Sequence, residues 1–366
     1  MHSTHSIWRN NSNKKLTRKK HRRIDGQPPP MSHATPTFAV LGAGSWGTAL
    51  AMLLADNGYP TTLWAHTASH ADALQMDRSN ERFLPGIGFP ADLTISANLT
   101  STVTSADIVL LVVPSHAFHE TLHKIKPLLR PHHRVAWGTK GLEPNTRKLL
   151  HQLAREELGT TIPTAVISGP TFAKEVARKL PGAVTAASEN PTFALELARA
   201  LHNDYFRAYT SQDIIGVEIG GAVKNVLAIA AGMADGLGFG ANARAALIAR
   251  GVAEILRLGV VLGAQSETFM GLTGLGDLVL TCTDDQSRNR RLGLGLGQGK
   301  DQQETVRAIG QVVEGINTSR EVHLLAQEHE VDMPITEQVY LILHQGHTPR
   351  DAVHALMERA IRPELD

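Results

Sequence analysis

Three groups of residues in this chain have the types and spacing to do chemistry. The first is Gly42-Ala43-Gly44-Ser45-Trp46-Gly47, which reads G-x-G-x-x-G. It follows the apolar run Phe38-Ala39-Val40-Leu41 and opens a helical pattern, the setting in which such a loop cradles a dinucleotide. Gly42 permits the tight turn, Gly44 lets a pyrophosphate approach the backbone, and Gly47 lets the helix pack closely on the sheet. The helix N-terminus offers free N–H groups and a positive dipole end. The second group is Lys224 with Asn225. Residues 216–232 read GVEIGGAVKNVLAIAAG, apolar or Gly except for Glu218, Lys224 and Asn225. A helix apolar on nearly every face is buried. A lysine inside it gives up its proton easily and becomes a general acid/base candidate. The plainer alternative is a structural pair between Lys224 and Glu218. Asn225 could hold a substrate hydroxyl or phosphate.

The third group suits an anion. Residues 271–277, GLTGLGD, form a glycine-dense loop that delivers Asp277. Further on comes Ser287-Arg288-Asn289-Arg290-Arg291. Arg288 is a natural bidentate partner for a phosphate, and Ser287 and Asn289 add neutral donors. The alternative is a solvated basic helix face. Lys140 follows the run Arg134 to Trp137, so it sits at the carboxyl end of a strand, where open α/β sheets bind ligands. The small residues of 167–173 line a similar edge. The second strand, Thr61 to Trp64, is followed by Ala65-His66-Thr67, with no acid to take a ribose 2′-hydroxyl. That absence admits a 2′-phosphate, with His66 as its partner, and favours NADPH while leaving NADH open.

These groups need a scaffold, and the pattern supplies one. Ile108 to Val113 is six apolar residues ended by Pro114, a strand for a parallel sheet covered on both faces. Further strands are expected at 164–168, 183–187 and 206–210, with helices at 48–57, 118–129 and 148–158. Alternation of this kind means a doubly wound sheet. After about Gly216 the strand signal fades, and 243–262, 306–309 and 319–329 read as helices. Residues 293–299, GLGLGQG, read as a loop or a loosened helix end. The expectation is a Rossmann-type α/β domain over 36–216 and an all-α domain over 217–366.

Composition narrows the function. Of 366 residues 42% are hydrophobic and 19% charged, a globular balance. Eight Lys and Arg fall within residues 1–30, beside one acid, so the rest of the chain holds 28 basic and 34 acidic residues. An acidic body argues against a general nucleic-acid surface. Residues 1–35 read as a disordered basic tail. One cysteine, Cys282, excludes an intramolecular disulfide and a Cys-based zinc site, and suits a reducing cytoplasm. No stable membrane anchoring and no metal are expected. Together the groups suit hydride transfer to or from a small phosphorylated alcohol or ketone. A hydroxyacid or ketopantoate-type reductase would use Arg288 on a carboxylate equally well. A cofactor sensor would need no buried base.

Blocks of sequence resemble a known family, the bacterial NAD(P)-dependent glycerol-3-phosphate dehydrogenases. They are LGAGSWGTALA at 41–51, VVPSHAF at 112–118, TKGLE at 139–143, VISGPTFAKE at 166–175, GGAVKNVLAI at 220–229, GFGANARAALI at 238–248, GLGDLVLTC at 274–282, QSRNRRLG at 286–293 and GQVVEG at 310–315. The resemblance spans about 37–360. It implies a 6-phosphogluconate-dehydrogenase-like fold, and reduction of dihydroxyacetone phosphate to sn-glycerol 3-phosphate for membrane phospholipid synthesis. It implies cofactor contacts at Ser45, Trp46, His66, Lys140 and Ala173, and, from the second domain, Arg288, Val312 and Glu314. It implies substrate contacts at Lys140, Gly169, Thr171, Asp277, Ser287, Arg288 and Asn289, with Lys224 as proton donor and acceptor. A homodimer would be ordinary for such enzymes. The position matching His66 is often Arg in relatives.

Overall fold

Short runs of Val, Ile, Leu and Ala between helical segments build one large sheet because such strands bury both faces. In the computed structural model, which describes residues 35–144, 146–361 and 363–364, the strands are β1 (Phe38–Leu41), β2 (Thr61–Trp64), β3 (Ser79–Asn80), β4 (Leu84–Gly88), β5 (Thr94–Ser96), β6 (Ile108–Leu111), β7 (Arg134–Trp137), β8 (Thr164–Ser168), β9 (Gly182–Ala187) and β10 (Phe206–Ser211). Eight of them form a sheet ordered β10-β9-β8-β7-β6-β1-β2-β5, and β3 and β4 form a separate hairpin. Side chains alternate across the sheet. Phe38, Val40, Ile108 and Leu110 enter one core, while Ala39, Leu41, Val109 and Leu111 enter the core on the opposite face. The order reverses at β1, which lies between β2 and β6. The loops leaving β1 and β6 flank the crevice where such sheets bind ligands.

The strand expected over 108–113 ends at Leu111, because the next residues already turn toward Pro114. The sheet is parallel except at β8–β9, which pair antiparallel. The short β5 and the β3–β4 hairpin carry too few apolar residues to be read from pattern. The tail expected over residues 1–35 lies, except for Thr35, outside the described residues.

Beyond β10 the described residues hold helices and turns only, gathered around the helix Ile214–Gly236. Its length and hydropathy would let it cross a membrane, yet 94% of its apolar window is buried inside the protein. Of the two readings of 293–299, a loop or a helix end, the second stands: residues up to Gly297 close the helix Arg288–Gly297. Glycine weakens an isolated helix, but here it permits contact. A β-carbon on Gly293 would collide with the Ile229 carbonyl, and one on Gly232 with the Arg290 carbonyl. Gly297 and Gly236 repeat the fit one turn on. Backbone therefore packs on backbone, and this docks the helix bearing Arg288 and Asn289 beside Lys224.

Candidate active site

The glycine loop has the shape its spacing predicts. Gly42 has φ of 121°, and a β-carbon there would strike the Val112 carbonyl oxygen. A β-carbon on Gly47 would strike the Gly42 carbonyl. At Gly44 no atom lies within 4 Å of the β-carbon position, so the backbone is open there. Gly44 also caps the helix Ser45–Asp56 without a side-chain bond, leaving first-turn N–H groups free. Trp46 Nε1 is buried with no partner. Ser45 Oγ donates to the Phe83 carbonyl at 2.6 Å and approaches Gln311 Oε1 of the helical part at 3.5 Å. An open loop, uncapped amides and an unpaired indole N–H are what a dinucleotide would complete.

The second group lies at the carboxyl edge of β7 and β8. Lys224 is 7% exposed, and its Nζ donates to Asp277 Oδ1 and, at 3.1 Å, to Thr281 Oγ1. Lys140 Nζ donates to the other oxygen of Asp277 at 2.7 Å and to the Gly169 carbonyl at 3.3 Å. One buried carboxylate thus bridges two lysines. Burial, with Lys140 beside it, outweighs the pull of Asp277 and brings the Lys224 amine down to about 7. Burial alone would raise Asp277, but Lys140 and Lys224 outweigh it and hold the carboxyl below its ordinary value. The five-residue π turn Leu272–Gly276 delivers Asp277 to this place. That turn lies against Gly220, where a β-carbon would strike the Thr273 carbonyl.

The structural pairing of Lys224 with Glu218 does not occur. Glu218 instead accepts from Trp137 Nε1 at 2.9 Å and from His151 Nδ1 at 2.6 Å.

A third line of contacts holds the anion group. Asn289 Nδ2 donates to Asn225 Oδ1 at 2.9 Å, and the Gly315 N–H donates to Asn289 Oδ1 at 2.9 Å. Ser287 caps the helix Arg288–Gly297, its hydroxyl accepting from the Arg290 N–H at 3.2 Å. Half-buried Arg288 makes no hydrogen bond or ion pair among the described residues. Burial lowers its pKa, and Glu314 is the carboxylate that favours its charge. Glu314 accepts from Ser115 Oγ at 3.1 Å, and burial raises its pKa. A cation in the first turn of a helix, unpaired and opposed by the dipole, is a receptor for an anion. Arg290 is different: it is engaged with Asp235, Asp285 and the Cys282 carbonyl.

The expected residues fall into clusters. Lys140, Gly169, Lys224 and Asp277 are brought together, and Thr171 Oγ1 donates to the Gly169 carbonyl at 3.2 Å. Asn225, Ser287, Arg288 and Asn289 lie along the adjoining helix pair. Ala173 begins the helix Ala173–Ala177. His66 stands exposed after β2, its ring edge-on to Trp64 at 5.9 Å. Val312 is exposed, whereas neighbouring Val313 is buried. Sequence reading missed Thr281, Gln311 and Gly315. Thr281 follows Asp277 by one helical turn, the one spacing that signals it.

Two family models match this chain. The one described as NAD-dependent glycerol-3-phosphate dehydrogenase N-terminus covers residues 37–194, and the corresponding C-terminus covers 213–354. The chain is 57% identical over 328 residues to a glycerol-3-phosphate dehydrogenase [NAD(P)+] of Aeromonas salmonicida, covering 89% of this chain and 98% of the relative. It is 56% identical over 332 residues to that of Pasteurella multocida, covering 90% and 98%. The crystal structure of a glycerol-3-phosphate dehydrogenase from Coxiella burnetii superposes with a TM-score of 0.86 at 51% identity, covering 89% of this chain and 99% of that one.

Proposed function

The chain belongs to the NAD-dependent glycerol-3-phosphate dehydrogenase family, and from that premise we propose how its residues share the work. The protein is an NAD(P)-dependent oxidoreductase that interconverts dihydroxyacetone phosphate and sn-glycerol 3-phosphate. The observation that carries the assignment of roles is the line Lys224–Asp277–Lys140, set beside an open phosphate loop and an unpaired arginine.

When bound, the reduced nicotinamide supplies the hydride to the ketone carbon. Gly42, Gly44 and Gly47 shape the pyrophosphate seat, with Ser45, Trp46, Lys140, Ala173, Val312 and Glu314 around the cofactor and His66 toward the adenosine end. Lys224 gives a proton to the ketone oxygen as negative charge builds there, and takes it back from the hydroxyl in the reverse direction. Asp277 holds that proton on Lys224 until it is needed. Lys140, Gly169 and Thr171 align the head of the substrate. Arg288, with Ser287, Asn289 and Asn225, anchors the phosphate and so fixes the reacting carbon. The lack of an acid after β2 supports a preference for NADPH. We read the chain as a cytoplasmic homodimer that feeds phospholipid synthesis; a sequence with one cysteine, Cys282, suits a reducing compartment.

The direct test is absorbance at 340 nm with dihydroxyacetone phosphate and NADPH or NADH in parallel. Oxidation of neither cofactor would overturn the substrate assignment. Arg288→Ala is expected to raise KM for the phosphorylated ketone by about tenfold or more, the worth of one charge-assisted bond. With an unphosphorylated ketone it should change little, and equal losses on both substrates would contradict the clamp.

The pH profile has a defined sign. Reduction needs Lys224 protonated, so kcat/KM for the ketone is level below about 7 and falls above it, and oxidation runs the opposite way. Asp277→Asn removes the anion that favours the charged amine. The falling limb then moves to lower pH in a pH-rate measurement. An upward movement would mean that Asp277 does not act on Lys224.

A further inference from the structure

Resting on the reading that the site takes NADPH, we propose that Arg82 is a further specificity-determining residue, which grips the cofactor's 2′-phosphate together with His66. The observation begins with the β3–β4 hairpin, which is fastened to the dinucleotide loop. Asn80 Nδ2 donates to the Ala43 carbonyl at 3.0 Å and to Thr48 Oγ1 at 2.8 Å. The Phe83 carbonyl accepts from Ser45 Oγ at 2.6 Å. Arg82 therefore lies between two residues anchored on the phosphate seat.

Its guanidinium is exposed and placed over the Phe83 ring, 4.9 Å from the centroid. The other contact of that ring is His70, edge-on at 5.6 Å, from the helix Ala68–Asp77 that begins just after His66. The stack thus joins the glycine loop to the segment that follows β2, where the adenosine ribose of a dinucleotide is bound. Arg82 has no hydrogen bond or ion pair among the described residues. Its neighbour Glu81 is turned away and accepts from the Gly86 N–H at 3.1 Å. A guanidinium already resting over an aromatic ring loses less freedom on meeting a phosphate, and can bind it in bidentate fashion. Residues 65–67 supply no competing carboxylate. Linked through His70 and Phe83, His66 and Arg82 would offer a dianion two donors, neither of which a bare ribose hydroxyl needs.

The test compares adenosine fragments by calorimetry, with no turnover required. The full chain is titrated with 2′,5′-ADP and with 5′-AMP, which differ by the 2′-phosphate. Arg82→Met, which keeps packing on Phe83 but removes the charge, is expected to weaken 2′,5′-ADP about tenfold and to leave 5′-AMP within twofold. Arg82→Lys should recover part of the loss. In steady state Arg82→Met raises KM for NADPH and leaves that for NADH unchanged. Equal weakening of both fragments would overturn the proposal in favour of a general role in holding the hairpin, and no weakening of either would also overturn it. If the unsubstituted protein binds both fragments alike, the NADPH preference itself falls. NADH-linked reduction would then still stand, which separates the two failures.

Discussion

Replacing Lys224 with Ala lowers kcat for ketone reduction by about 10²–10⁴, the span that a positioned acid/base contributes. Two features make this substitution readable. Asp277 keeps Lys140 at 2.7 Å after the amine is gone, so the buried carboxylate is not left without a cation. The partners of Lys224, Asp277 and Thr281, lie outside the glycine loop, so cofactor affinity should persist. Lys224→Met, which preserves the bulk of the side chain, should show the same loss in kcat. Single-turnover rates, with circular dichroism as a control for folding, check the result. A kcat within a few-fold of the unsubstituted enzyme would remove Lys224 from proton transfer.

Gly293→Val is expected to cost about 3 kcal/mol or more, the upper part of the range for forcing bulk into a packed interior. The reason is that the obstacle is backbone. A side chain in the way can rotate, but the Ile229 carbonyl and the Met233 amide belong to the helix that carries Lys224. The two helices must separate or shift along one another. The measurement is thermal or denaturant unfolding, with a fall in Tm of roughly 4 °C for a protein this size. Gly88→Ala serves as the control. Its β-carbon would meet only the Arg78 carbonyl at 4.0 Å, so its cost should stay within about 0.5 kcal/mol. A similar loss from both substitutions would mean that the close helix contact is not the cause.

Much of the site was legible because its residues contradict their surroundings. A lysine in the apolar run 216–232 stands out against its neighbours, and of the three glycines between strand and helix two serve the turn and its packing while Gly44 leaves the backbone open. The scaffold was legible where both sheet faces are buried, since the runs at 38–41, 108–111 and 134–137 are then apolar throughout. The glycines of 293–297 left loop and helix end undecided for a physical reason. Local propensity counts against a helix there, and only the partner helix, more than fifty residues earlier in the chain, reverses that preference. The reversal of β9 was hidden because Ala183 to Ala187 carries no mark of direction. Gln311 and Gly315 were missed because a glutamine in a loop and one more glycine look ordinary until the fold sets them against Ser45 and Asn289.

The helix Ile214–Gly236 holds the reactive amine midway along the rod that most of the other helices of the second half pack against. Such a rod belongs to the portion of a protein whose amides exchange with solvent last, because opening it means opening the whole half. Local fraying can loosen the rims of the site, the hairpin or the loop at Gly310 while the amine keeps its partners. Heat inactivation of this enzyme is then not a gradual softening of the catalytic centre but coincides with cooperative loss of the helical half.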